Sequence, residues 1–287
     1  MAKYVDVFGS WEDAVDVAKD VRENTSRFAA DGRRFSLLGL TATVLGLNNA
    51  DGYDGLFEEA VTGHPLPSEA FFWGLRWASI EAKRRGRLDT ASQIAHRALA
   101  RMETQIPDSY DRNVMQGMAY NFQALLALRN SDVESAHQLV DRAIDKFGDD
   151  PSHASLLPRD EAARYAWMAK LNRAQLPLLS GDYDGARAQL DALLIYAREY
   201  DPSAVHTTLS ALALTYLKSG NAAEARPLLL ESLDLLAVEY DPNVVRQVRK
   251  MLFATYSMLG AEASAKRVAA DSSFFWRSTR AVERYEP

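Results

Sequence analysis

EYDPSAV occupies residues 199–205, and EYDPNVV occupies residues 239–245, forty residues later. Both stretches read as the same joint. Glu199-Tyr200 and Glu239-Tyr240 close one helix. Asp201 and Asp241 are expected N-caps of the next, their carboxylates accepting orphan N–H groups of a first turn. Pro202 and Pro242 fall at the first helical position, where a missing N–H is tolerated. Val205 and Val245 open a new apolar stripe. A stop-and-start joint written twice marks a repeated helical unit.

Alignment on the turn inside each helix pair extends the repeat. RRGRLDTA ends at Ala91, RNSDVESA at Ala136, LSGDYDGA at Ala186, KSGNAAEA at Ala225 and MLGAEASA at Ala265. Each turn opens on a small residue: Gly86, Ser131, Gly181, Gly220 or Gly260. Five residues on, every copy has alanine. Seven residues before the turn stand Ser79, Ala124, Ala174, Ala213 and Phe253, four of them small. Antiparallel helices cross closely only where side chains are small, and Gly or Ser permits the tight link. Asp132, Asp182 and Asn221 follow three turns as expected N-caps. Leu99, Ile144, Leu194 and Leu233, thirteen residues after the turn, put apolar groups on the inner face of the second helix. Ser273 breaks that pattern, so the last second helix is expected to end early.

This pattern resembles the tetratricopeptide repeat. The match is best in LSALALTYLKSGNAAEARPLLLESL (209–233), where Leu212, Ala213, Tyr216, Gly220 and Ala225 fall at the family's large, small, aromatic, glycine and alanine positions. Leu252, Tyr256, Gly260 and Ala265 form the second-best copy. The first two copies have Ala82 and Ala127 in place of the aromatic, and the third has Pro177, expected to distort the end of its helix. Pro227, inside a second helix, is expected to bend it. Spacings near forty residues are similar to the longer variant of kinesin light chains and bacterial regulators. The resemblance covers residues 70–270 and implies an all-α, right-handed superhelical solenoid of antiparallel helix pairs, with about 12–15 helices.

Around this block the chain divides into an N-terminal helical region, 1–69, and a C-terminal cap, 271–287. Helices are expected near 11–29, 35–48 and 53–62, the first weakly capped by Ser10 with Asp13. DDPSHASLLPRDE (149–161) is a loop that breaks the solenoid at 147–160. Phe274, Phe275 and Trp276 would cover the last apolar face, since end repeats need caps. The same aromatic tail makes self-association as a homo-oligomer an alternative role for it.

Composition excludes several functions. Of 287 residues 47% are hydrophobic, enough for a large core, and the net charge of -6 gives no basic excess for nucleic acid. Cysteine is absent, which removes disulfides, thiolate catalysis and cysteine metal sites, and fits a reducing compartment. The start shows no apolar signal-peptide core. The longest apolar run, Phe35 to Leu47, is too short to span a bilayer. The expectation is a cytoplasmic protein without a membrane or nucleic-acid partner.

Chemical motifs are missing as well. No two of His64, His96, His137, His153 and His206 stand three to five apart, so no helix presents a local metal pair. Asp149-Asp150 reads as a solvated turn. No phosphate loop, dinucleotide fingerprint, nucleophile elbow or HExxH occurs. KRRGR (83–87) reads as a solvated interhelix turn, with positive charge at helix carbonyl ends. No metal and no cofactor are expected. The N-terminus also lacks the DNA-reading helix-turn-helix that precedes similar repeats in Gram-positive pheromone receptors.

What remains is surface. In the family, the first helix of each pair lines a concave groove. The resemblance projects Arg76, Asn121, Gln175, Ser210, Leu214 and Lys250 onto that groove, with Thr207 and Gln247 one helical turn earlier. Their mixed character suits a peptide backbone or side chains. The spaced Lys and Asn of the family's carboxylate clamp are missing. The leading expectation is a non-enzymatic scaffold that binds a protein or peptide in its groove. The alternatives are a ligand- or peptide-responsive regulator, and an enzyme or enzyme accessory subunit built from dispersed carboxylates such as Glu81 and Glu161.

Overall fold

The structure is a computed structural model that describes residues 11–27, 32–148, 150, 156, 159–236, 242–271 and 281–285. Ser10, Asp149, Glu239 to Asp241 and the aromatic run 274–276 lie outside them, as does the carboxylate cap expected of Asp241. The chain divides into two compact units, Met1–Ala162 and Ala163–Pro287. Among the described residues every regular element is helical.

The first unit opens with α1 (Trp11–Glu23), α2 (Gly32–Leu47) and α3 (Tyr53–Gly63). The last two lie close to the expected bounds, whereas α1 ends at Glu23, six residues short of the expected 29, and a 3-10 turn at Thr25–Arg27 follows it. Ala14, Val15 and Ala18 of α1 pack with Leu38 and Leu45 of α2 and Phe57 of α3. Ile80 of α4 (Pro67–Ile80) belongs to the same core, so these helices stack directly on the first pair. That pair is α4 with α5 (Leu88–Gln105), and α6 (Tyr110–Arg129) with α7 (Val133–Phe147) is the next. A methyl group on Gly74 of α4 would come 2.7 Å from the Ala98 Cβ, which shows how closely α4 and α5 cross.

The second unit takes in α8 (Arg159–Gln175) from Ala163 onward, then α9 (Tyr183–Tyr200), α10 (Val205–Lys218), α11 (Ala222–Leu236), α12 (Pro242–Met258), α13 (Glu262–Ala270) and α14 (Ala281–Tyr285). Its core runs through Leu229, Leu233 and Leu236 of α11 into Val248, Leu252 and Tyr256 of α12. Trp167 of α8 donates its indole N–H to Thr208 of α10 at 2.9 Å, a buried polar tie between successive pairs. Helix α13 ends at Ala270, early as expected.

The five turns carry the repeat. Gly86, Ser131, Gly181, Gly220 and Gly260 all have positive φ, between 62° and 83°. Four of them close as Schellman motifs, the N–H after the turn residue reaching five residues back. Asp132, Asp182, Asn221 and Ala261 donate to the carbonyls of Ala127, Pro177, Tyr216 and Tyr256 at 2.9–3.0 Å. Ala91, Ala136, Ala186, Ala225 and Ala265 are all buried. The Asp132 and Asp182 carboxylates accept the N–H groups of Ser135 and Gly185, as N-caps should. Asn221 instead donates its amide to Ser219.

Four local departures have physical causes. Pro177 ends α8, and Leu176–Leu179 continue as a 3-10 turn. Pro227 is accommodated within a continuous α11. Asp201 takes the expected cap position but heads a 3-10 turn, Pro202–Ala204, whose tight geometry uses its carbonyl, which accepts from Ala204 at 2.9 Å. Its side chain accepts the Ser203 hydroxyl at 2.6 Å instead.

The fourth is the first turn. Glu81–Arg85 form a π-turn, and Arg87 reaches six residues back to the Glu81 carbonyl at 3.2 Å. One residue is inserted relative to the other copies. Fully buried Ala78, and not half-buried Ser79, therefore takes the close-contact place of Ala124, Ala174 and Ala213. Glu81, and not Ala82, stands where the later copies have Tyr216 and Tyr256. Its fully buried carboxylate accepts the Tyr53 hydroxyl and pairs with Arg87 Nε at 2.5 Å. Arg87 also donates to Tyr53 at 3.2 Å. Burial and then the bond to Glu81 push the Tyr53 hydroxyl above its ordinary pKa.

Candidate functional site

The turns give a ruler for the first helices of the second unit. Residues 13, 10 and 6 before a turn lie about one helical turn apart and share a face. On α10 these are Thr207, Ser210 and Leu214, and on α12 Gln247, Lys250 and Ala254. On α8 they are Met168, Leu171 and Gln175. Gln175, Leu214, Gln247 and Lys250 are exposed, and Thr207 is half-buried. Ser210 is spent on packing: its hydroxyl donates to the His206 carbonyl at 2.8 Å and meets Ser232 of α11 at 2.9 Å.

Sequence reasoning missed Met168. It is 39% exposed, against 38% for Leu214, so the face carries two large exposed apolar side chains among polar ones, with Ala254 exposed and Leu171 half-buried beside them. The signal was present: Met168 stands at the same distance before its turn as Thr207 and Gln247. In the first unit the candidates fare differently. Asn121 is in register but only 7% exposed. Arg76 is exposed, but the inserted residue of the π-turn shifts the register, and Leu75 occupies the place that Asn121 holds.

Lys250 also borders a cavity of about 530 Å³ between α12 and α13. Val245, Phe253 and Val268 supply apolar wall, and Arg246, Arg249 and Lys250 supply charge. Asp271, at the end of α13, neutralises Arg249 (3.2 Å) and Arg284 (2.6 Å), and accepts the Tyr285 hydroxyl at 2.7 Å. Burial and then that hydrogen bond raise the Tyr285 pKa. Arg246 and Lys250 have no ion-pair or hydrogen-bond partner among the described residues.

Other chemistry is occupied or scattered. His64 is buried, with Nδ1 accepting from the Leu66 N–H at 3.1 Å and Nε2 3.3 Å from the Ser36 hydroxyl. Among the described residues no cluster of three or more His, Asp or Glu could hold a metal ion. No described helix is long and apolar enough to cross a membrane.

No family model matches the sequence, and no curated protein matches it. Similarity appears in solved structures. BtubC (BKLC) from P. vanneervenii superimposes with a TM-score of 0.58 at 17% identity, covering 81% of this chain and 94% of that one. A Podospora anserina putative kinesin light chain with nearly identical TPR-like repeats gives 0.51 at 16%, over 71% and 93%. A Rap protein complexed with Competence and Sporulation Factor gives 0.57 at 11%, over 99% and 76%. With the five left-handed turns and the buried alanines that follow them, these likenesses identify the fold of this chain as that of the tetratricopeptide-type repeat proteins.

Proposed function

We propose that this protein is a non-enzymatic, cytoplasmic scaffold that binds a protein or peptide on the first-helix face of its second unit. One observation carries the reading: Met168 and Leu214 are apolar side chains left exposed at groove register, among the polar Gln175, Thr207, Gln247 and Lys250. Preformed faces of this kind bind through a few apolar anchors, while polar groups fix the register of the bound chain. The Rap protein complexed with Competence and Sporulation Factor supports the reading, because a protein of similar fold forms a complex with that factor.

The test is affinity capture with wild-type protein as bait, beside a double variant, Met168→Arg with Leu214→Arg. Lys266→Glu on the second helix α13 is the control. A specific partner retained by wild type and by the control, and lost from the double variant, is the expected outcome. A partner held equally by all three baits would rule this face out.

A further inference from the structure

We infer that the cavity between α12 and α13 is a binding site for a small amphipathic carboxylate, a medium-chain fatty acid. The inference goes beyond the groove reading and does not depend on it. The volume, about 530 Å³, lies within the range of about 300–1,000 Å³ typical of small-ligand sites.

The wall selects the ligand class. It is predominantly apolar, with Val245, Phe253, Val268 and Ala269 lining it. None of the described lining residues is Ser, Thr, Asn, Gln or His. A sugar, a nucleotide or a peptide backbone brings several neutral donors and acceptors, and each is costly to bury without a partner. The wall offers them no side-chain hydroxyl or amide. A fatty acid brings a tail that asks for nothing polar, and one charged head group.

Phe253 supplies surface for the tail. Ala124, Ala174 and Ala213 stand at the same distance before their turns and are buried. Phe253 puts an aromatic ring at that position, and the ring remains 44% exposed. A ligand tail that covers it removes apolar surface from water.

Charge selects the head group. Arg246 and Lys250 border the cavity, are exposed, and stand four residues apart on α12. Their Cβ atoms are therefore about 5–6 Å apart on one face. Neither is paired among the described residues. A single carboxylate has two acceptor oxygens and can bridge both cations in charge-assisted hydrogen bonds. The one carboxylate of the wall, Asp271, does not repel it strongly, because Arg249, Arg284 and the Tyr285 hydroxyl already engage it.

The experiment is titration calorimetry of the full-length protein with octanoate and decanoate below their micelle concentrations, beside octanol and octylamine. Saturable binding of both acids is expected, tightening about fourfold per added methylene. Octanol should bind about tenfold more weakly than octanoate, and octylamine more weakly still. Arg246→Ala with Lys250→Ala should weaken decanoate about tenfold or more, whereas Lys266→Glu, outside the cavity, should not. No saturable binding, equal binding of octanol and octanoate, or decanoate binding indifferent to the double variant would each overturn the inference. Fluorine NMR with p-fluorophenylalanine in place of Phe253 locates the ligand while both cations are kept. A resonance that moves with decanoate and saturates at the calorimetric Kd supports the inference. Binding heat with an unmoved resonance places the ligand elsewhere and overturns it.

Discussion

Single positions set the repeat, and the turn residues are the clearest. A residue with a Cβ is strained at positive φ, by about 1–2 kcal/mol. Gly220 has φ 83° and open space around a notional Cβ, so Gly220→Ala tests backbone strain alone. It is expected to lower stability by about 1 kcal/mol. Ser131 already bears that strain at φ 62°, and Ser131→Gly is expected to raise stability by about 0.5–1 kcal/mol. Urea midpoints at constant m-value measure both. The two buried tyrosines add a pH signature. Tyr53 and Tyr285 each donate to a carboxylate, and each is held above the ordinary tyrosine value of 10.0. The folded chain therefore keeps a proton that the unfolded chain releases. Their contribution is complete below pH 10 and declines as pH rises above it toward the folded values. Urea melts across that range should fall more steeply for wild type than for Tyr53→Phe with Tyr285→Phe.

At the scale of elements, local chemistry decides what a reader of the sequence can see. The turns were legible because Gly, Ser and Ala act within a few residues of themselves, and the caps of Asp132 and Asp182 likewise. Asp182→Ala is expected to cost about 1 kcal/mol, read by thermal or urea unfolding, because the Gly185 N–H loses its acceptor. The π-turn was not legible. Its inserted residue is held by Tyr53, which is 28 residues away in sequence and comes near Glu81 only once α3 packs on α4. That single insertion displaced three expectations together, at Ser79, Ala82 and Arg76. The first-helix face of the second unit was legible through its polar members; Met168 was hidden because a methionine at helical spacing reads as core. Arg87 supplies a direct test of the insertion's energetics. Arg87→Ala leaves a buried carboxylate with the Tyr53 hydroxyl alone and is expected to cost about 1–3 kcal/mol, reduced by the exposure of Arg87. In Arg87→Ala with Glu81→Gln the charge is gone. The double variant should then lose less than the sum of the singles, a coupling that a urea double-mutant cycle reads.

At the scale of the molecule, a repeat stack is stabilised by nearest-neighbour interfaces, and its ends lack one neighbour. In the second unit the end is closed by a polar anchor. Asp271 gathers Arg249 from α12 with Arg284 and Tyr285 from α14, and Asp234 of α11 accepts the N–H of Ala281 at 2.6 Å. Arg249 is nearly as buried as its partner, with 11% and 9% of the two side chains exposed. Removing a partner from a buried ion pair costs about 3–5 kcal/mol, because the remaining charge stays desolvated. Asp271→Ala should therefore release α14 and loosen the final pair first. Because each pair rests mainly on its neighbours, the loss should fade along the chain and not unfold it at once. Amide hydrogen exchange resolves this by position. Exchange should accelerate strongly in α12, α13 and α14, weakly in α10 and α11, and not at all in α4 and α5. Uniform acceleration from α4 to α14 would mean that the chain unfolds as a single cooperative body. The same result would show that the Asp271 anchor stabilises all of it.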